Sequence, residues 1–278
     1  MLKKLTATTE ESLKDLINRE LSFLPFFAVE KLCDKKDVKV NGIPVKKDAK
    51  LKAGDEVAVY FSQEKYAPYA LVYEDENFLV ADKKRGASFE SLTEFLGMVY
   101  GKIYPVHRLD TNTAGLIAYA KTPVAESELI SAFREKRTQK KYLCRVFGLP
   151  KPQSATLSDY LMKDEKKGLV RVYANPQKGA LSVITEYRVV EDLMDGTSVL
   201  SVTLHTGRTH QIRAHLAFHG YPLVGDGKYG NGEKNRAYKR SKQELTSVFL
   251  SFTFPKESPL SYASGKVFEK KERFFAKE

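Results

Sequence analysis

Cysteine is scarce. The 278 residues hold two, Cys33 and Cys144, far apart in the chain. That excludes a disulfide-rich secreted scaffold and any zinc site built from cysteine alone. No apolar run is long enough to span a bilayer. The opening Met1-Leu2-Lys3-Lys4-Leu5-Thr6 turns acidic by Glu10, without the continuous apolar stretch of a secretory leader. There is no internal repeat, no low-complexity tract and no Gly-x-Ser-x-Gly elbow of a serine hydrolase. Acidic residues are also in the minority: 35 Asp and Glu face 46 Lys and Arg, a net charge of +11. These absences predict a reduced, cytoplasmic protein with no membrane partner. The basic surplus fits a partner with a phosphate backbone.

What is present describes a globular chain. Apolar residues make up 42% of it, too many for a disordered protein. This length predicts about one or two domains that bury roughly three quarters of their unfolded surface. Residues 1–62 read as a small unit. Thr8 and Glu11 have capping-box spacing ahead of Leu13, Leu16, Ile17 and Leu21 at helical intervals. A second helical stretch, 27–35, turns Val29, Leu32 and Cys33 inward. Val38 and Val40 alternate with polar residues before Asn41-Gly42, a strong hairpin signal, and 57–61 is an apolar strand. Residues 63–72 open on a polar stretch with one proline and read as a linker. From 73 to 278 short strands follow one another, at 78–81, 116–120, 142–147, 183–190, 199–204 and 248–254. One helix starts at Thr122-Pro123, a capping hydroxyl before a first-turn proline. Another runs from Thr209 to Phe218 and stops at Gly220. This order predicts an α+β fold: a mixed, largely antiparallel sheet with a small N-terminal α+β domain.

The charge is uneven. Residues 1–62 carry +2 and the remainder +9. Residues 131–145 hold Arg134, Lys136, Arg137, Lys140, Lys141 and Arg145 against Glu135. Residues 228–242 hold Lys228, Lys234, Arg236, Lys239, Arg240 and Lys242 against Glu233. Tyr142, Tyr229 and Tyr238 lie among them. Such interleaving suits a surface that neutralises phosphates and stacks bases, although a solvated face has the same composition. Three segments are more specialised. In 106–116, Arg108 and Asp110 stand two residues apart just before a strand, where a carboxylate can face a cleft or cap a turn. In 206–216, Gly207 fits a turn and Thr209 a helix cap. Arg208 would then sit at the positive helix end, a place that favours an anion such as phosphate. In 140–143, Tyr142 opens a strand behind a basic run. His215 and His219 share a helical face, as in some zinc helices. Ala217 and Phe218 stand where a zinc protease needs its carboxylate, so no metal is expected.

Taken together, three stretches resemble the signatures of the RluA-type RNA pseudouridine synthases. They are His107-Arg108-Leu109-Asp110-x-x-Thr113-x-Gly115-Leu116, the run from Thr206 to Leu216, and Gly220 to Asp226 continuing through Tyr229-Gly230. Asp75 to Lys83 resembles that family's opening strand. Val38 to Gly42 and Gly54-Asp55 resemble the alpha-L RNA-binding motif. The resemblance covers nearly the whole chain. It implies action on uridines of structured RNA, ribosomal RNA ahead of transfer RNA. The bond from base nitrogen to ribose breaks, the uracil turns, and a carbon–carbon bond from carbon 5 replaces it, without cofactor or metal. The resemblance makes Asp110 the essential, ionised aspartate. Arg213 pairs with it, the guanidinium offering two parallel donors to the carboxylate. Tyr142 stacks on the uracil, and Arg108 fills the stack vacated by the flipped base. His107, Arg208, His210, Lys140 and Lys141 are read as RNA-binding or supporting groups, and a monomer is expected. The alternative is a non-enzymatic RNA-binding or ribosome-assembly protein on the same scaffold. The intact set Asp110, Tyr142 and Arg213 favours the enzyme.

The chain also departs from the family pattern. Lys83-Lys84-Arg85-Gly86 stands where Lys-Pro-x-Gly is usual, Ala114 replaces a Ser, and Leu245-Thr246-Ser247 replaces Leu-His-Ala. Leu24-Pro25-Phe26-Phe27 opens the second helix in place of a polar, basic Ser-Arg. That suggests a weak RNA grip there, or Phe26 and Phe27 presented to another partner.

Overall fold

Seven consecutive residues, Ala-Gly-Leu-Ile-Ala-Tyr-Ala, form the strand Ala114–Ala120, and all seven are buried. A strand buried on both faces belongs mid-sheet. This one pairs antiparallel with Phe78–Lys83 and parallel with Leu245–Phe252. The parallel neighbour comes so close at Gly115 (φ +103°) that an added Cβ would lie 2.1 Å from the Ser247 carbonyl oxygen. The computed structural model describes residues 1–25 and 27–274. It has two compact units: Met1–Pro68 with Glu90–Val99, and Tyr69–Phe89 with the described residues from Tyr100 on.

The larger unit is built on an 11-stranded sheet. Its main path runs Leu169–Tyr173, Ser154–Asp164, Leu181–Asp192, Thr197–Leu204, Thr138–Phe147, Leu245–Phe252, Ala114–Ala120, Phe78–Lys83, Tyr69–Glu74. The pair Ala114–Ala120 with Leu245–Phe252 is parallel and every other named pair is antiparallel, so the sheet is mixed and largely antiparallel, as expected. Helix Pro123–Arg134 starts where the sequence places it, with the Thr122 hydroxyl accepting from the Ala125 N–H at 3.2 Å. Its Ala125, Leu129 and Ala132 pack into a core with Phe78, Leu116 and Phe252. Helix Gln211–Phe218 sets Ala214 against Leu161, Val170 and Val183. Thr209 does not cap it. The helix begins after His210, which is left-handed (φ +52°) and makes no side-chain cap. The loop's hydrogen bonds go instead to Gln211, as described below. Helix Phe89–Tyr100 was not expected, although Leu92, Phe95 and Leu96 have helical spacing. Helix Gly232–Ala237 was not expected either.

In the smaller unit Leu2–Thr6, Glu56–Tyr60, Val38–Val40 and Ile43–Pro44 form an antiparallel sheet in that order. Asn41 (φ +48°) and Gly42 (φ +80°) make the expected two-residue turn. Thr8 and Glu11 do not form a capping box. Glu11-Ser12 pairs with Lys50–Leu51, Glu11 holds Arg19, and the Ser12 hydroxyl caps helix Leu13–Glu20. The second helix is Ala28–Asp34. The edge ring of Phe23 meets Phe95 at 4.9 Å and Ser22 bonds Glu94, which is why 90–99 belong with this unit. The 63–72 stretch contains helix Gln63–Tyr66 and the start of strand Tyr69–Glu74. Phe27 is 58% exposed under Lys31, while Phe26 lies outside the described residues. Among the described residues no helix is long and apolar enough to cross a membrane.

Candidate active site

Asp110 stands in the loop entering the buried strand Ala114–Ala120, and Arg213 lies in the first turn of helix Gln211–Phe218. Although 103 residues apart, they meet: Arg213 Nη1 donates to Asp110 Oδ2 at 2.9 Å. The expected pair is present, but the expected fork is not. Arg213 spends Nε and Nη2 on Asp226, at 2.7 and 2.9 Å, and turns only Nη1 to Asp110. Asp226 is fully buried and also accepts the Lys228 and Tyr229 N–H groups. Burial disfavours its charge, but Arg213 and those N–H groups outweigh it and hold its carboxyl below the usual range. Burial likewise works against the Arg213 charge, and Asp226 and Asp110 more than reverse it. Asp226 lay inside a quoted motif without a role. Its signal was the Gly225-Asp226 pair in that motif, but its partner is set by the tertiary fold.

These residues border an open pocket of about 80 Å³, lined by Asp110, Arg108, Thr113, Tyr142, Leu204, Arg208, His210, Arg213 and Leu245 among others. Tyr142 comes from strand Thr138–Phe147, at a register shift against Leu245–Phe252 that falls between Lys141 and Tyr142. Burial, and then the Asp110 carboxylate, push its phenol above its ordinary value, so it stays an O–H at neutral pH. Arg108 is exposed, its guanidinium 5.3 Å from the centre of the Phe89 ring. Arg208 is exposed too. Lys140 is half-buried, reaches Gly207 and lies over Phe133, and burial lowers its pKa. Lys141 turns elsewhere, 4.9 Å from the Phe249 ring. His107 faces inward. Its Nε2 accepts the Ala118 N–H at 2.9 Å, its ring lies 4.6 Å from Phe133, and burial with nearby Lys140 pushes it down to about 3. A neutral imidazole braces the Asp110 loop to the strand; it offers phosphate no charge.

The second loop is held from within. The Gln211 side chain accepts from the Thr206 hydroxyl and the Arg208 N–H, and donates to the Ile184 carbonyl and the Thr185 hydroxyl. His210 has Nδ1 2.8 Å from the Tyr229 hydroxyl and Nε2 3.8 Å from Asp110 Oδ2. Burial lowers its pKa, with Asp110 opposing. The first loop is held through its carbonyls: buried Lys83 donates to Thr111 at 3.0 Å and to Ala87 at 2.6 Å. Burial pushes Lys83 down to about 8, Asp110 pulling it up and Arg85 pressing it lower.

The tertiary structure also supplies a carboxylate to the histidine pair. Asp159 Oδ2 lies 2.9 Å from His215 Nε2 and 2.6 Å from His219 Nε2. Among the described residues, these three form the cluster that could ligate a metal. Thr185 accepts from Gln211, so its own hydroxyl hydrogen can go to His215 Nδ1, which leaves the His215 Nε2–H for Asp159. The basic runs divide as well. Arg145 is 1% exposed and holds Asp195, Glu244 and Thr197, with Tyr238 beside it. Arg145 is interior scaffold, not part of a phosphate-facing surface, and half-buried Tyr238 packs beside it.

The family model for RNA pseudouridylate synthase matches residues 39–218, a stretch holding Asp110, Tyr142 and Arg213. An uncharacterized RNA pseudouridine synthase of Chlorobaculum parvum is 36% identical over 270 residues, covering 82% of each chain. The ribosomal large subunit pseudouridine synthase C of Vibrio cholerae is 29% identical over 251 residues, 80% of this chain and 77% of its own. Among solved structures, human RNA pseudouridylate synthase domain containing 1 has the same fold: TM-score 0.64 at 23% identity, over 77% of this chain and 86% of that one. With a matching model across most of the chain and relatives along its length, this chain belongs to the RluA-type RNA pseudouridine synthases, enzymes of the isomerase class.

Proposed function

We propose that the enzyme isomerises uridines of structured RNA, ribosomal RNA ahead of transfer RNA, at Asp110, on a base flipped into the pocket beside Tyr142. What supports this reading is one juxtaposition: a partly exposed carboxylate, held by a buried arginine, opening into a pocket with a tyrosine wall. The balance of the reaction is simple. The ribose–nitrogen bond breaks, a bond from ribose to carbon 5 forms, the carbon 5 proton leaves and the freed nitrogen gains one. No oxidant is needed. Arg213 orients the carboxylate by donating Nη1 to Oδ2. Flipping costs a few kcal/mol, and exposed Arg108 can offset part of it by stacking in the vacated place. The half-buried Lys140 and exposed Arg208 supply cations for phosphates at the rim. The preference for ribosomal RNA rests on the relatives' names. The Asp110→Asn variant tests the assignment. It should fold, bind RNA and lose about a thousandfold or more in tritium release from RNA labelled at carbon 5 of uridine. Release at the wild-type rate would overturn the role of Asp110.

A further inference from the structure

The strand Phe78–Lys83 ends in Lys84-Arg85-Gly86, and Arg85 has no part in the pocket. Its guanidinium is nonetheless engaged through both terminal nitrogens. Nη1 gathers the carbonyls of Asn112 (3.1 Å), Leu245 (3.2 Å) and Gln243, and Nη2 donates to the Thr246 hydroxyl at 3.0 Å. Asn112 is two residues past Asp110 in the same loop. Leu245 lines the pocket, and Leu245–Phe252 is the strand paired with Tyr142's own. One side chain therefore joins the segment that carries the carboxylate to the segment that backs the tyrosine. A second link runs the same way, from Gln243 Nε2 to the Thr113 hydroxyl at 2.9 Å, with both residues buried. The Gly86 N–H adds a bond to the Thr111 carbonyl.

We propose that Arg85 is a positioning residue for the reaction: by tying the Asp110 loop to the strand beside Tyr142, it sets the distance between the carboxylate and the base-stacking wall. The chemistry of the side chain supports this. A guanidinium is a rigid plane with donors fixed at set angles, so four acceptors on two segments are held in one geometry. An ammonium would meet fewer of them and could swivel. Burial works against the Arg85 charge, with Glu272 and Glu244 acting the other way. Arg85 does not line the pocket and its contacts are to the chain itself, so it acts through Asp110 and not on the substrate. Small errors of placement at a reacting group cost about 100-fold, which is why a residue outside the pocket can govern turnover.

The inference rests on the Asp110-centred reading, and the test separates the two. Full-length wild type, Arg85→Lys, Arg85→Ala and Thr246→Val are assayed for kcat and KM by tritium release, for RNA affinity by filter binding, and for folded fraction by circular dichroism. Turnover per folded molecule should fall about tenfold in Arg85→Lys and about 100-fold in Arg85→Ala. KM and RNA affinity should stay within about twofold. Thr246→Val removes one of the four acceptors without changing side-chain shape and should cost about threefold in kcat. It and Arg85→Lys carry the test if Arg85→Ala does not fold. Added methylguanidinium should restore turnover to Arg85→Ala and not to Asp110→Asn. Unchanged kcat in the folded Arg85 variants would overturn the inference, as would a rise in KM at constant kcat. In either case the function would stand. A wild type inert on every uridine-containing RNA would overturn the functional reading instead.

Discussion

Arg213 touches two carboxylates, and the molecule treats their surroundings in opposite ways. The turn at 226–229 wraps Asp226 completely: the side chain is 0% exposed and receives two guanidinium donors and two backbone N–H groups. The loop at 107–113 leaves the Asp110 side chain 25% exposed with one Arg213 donor. That loop is held mainly through groups other than its carboxylate: Lys83 and Gly86 on Thr111, Arg85 on Asn112, Gln243 on Thr113, and His107 on Ala118. A saturated carboxylate is structural. An undersaturated one on a rigid backbone is available to a substrate without any cost of ordering the loop.

The contrast can be broken by exchanging the two losses. Asp226→Asn should cost about 3–5 kcal/mol of stability, because it strips the buried partner from a buried arginine. Asp110→Asn should cost no more than about 1 kcal/mol, since the fork on Asp226 survives. Chemical denaturation of both variants checks this, and a larger loss at Asp110 would erase the distinction. The next effect is on turnover alone. Arg213→Lys keeps the charge but cannot hold both carboxylates, and kcat should fall about 100-fold with RNA affinity little changed.

A smaller effect comes from pH. Lys83 is pushed down to about 8 by burial, so its clamp on the Asp110 loop loses its charge as pH rises through that value. The pH–rate profile should show a descending alkaline limb near 8, absent in Lys83→Met, which should be slow at every pH. Stability should move the other way. The unfolded lysine keeps its proton to about 10.4, so between about 8 and 10.4 the unfolded chain binds more protons and this group makes folding more favourable as pH rises. Denaturation midpoints measured across that window check the sign. The smallest effect should come from the rim. Arg208→Gln should reduce the slope of log affinity against log salt by about 0.7–0.9, one phosphate contact. Arg145, turned inward on Asp195 and Glu244, should not affect the slope when replaced.

Much of this was legible along the chain because it is local. The Asn41-Gly42 turn, the Thr122-Pro123 helix start and the α+β order of elements follow from spacing and side-chain type, and all appear in the structure. The misses share a cause. Thr8 and Thr209 had the right chemistry for caps, but Glu11 was taken by Arg19 and Gln211 took the hydrogen bonds of its loop. Local propensity is weak against a partner delivered from elsewhere in the fold. Arg145 counted as surface charge in a run of six, yet two carboxylates 50 and 99 residues away draw it inside. The third member of the histidine cluster, Asp159, comes from a strand 56 residues before His215.

By itself the sequence determined which residues could carry the chemistry, since motif and residue type are read within one segment: Asp110 before a strand, Arg213 in a helix's first turn, and Tyr142 in another strand, which starts at Thr138, four residues earlier than expected. How each one is used was decided only by the tertiary structure. The fork of Arg213 went to Asp226, His107, read as an RNA-binding or supporting group, became a neutral brace, and Arg85 became the cross-link behind the loop. The physical reason is that a hydrogen-bond donor is directional and finite in number. Which acceptor it spends itself on depends on segments brought within about 3 Å by packing, and no spacing along a chain encodes that.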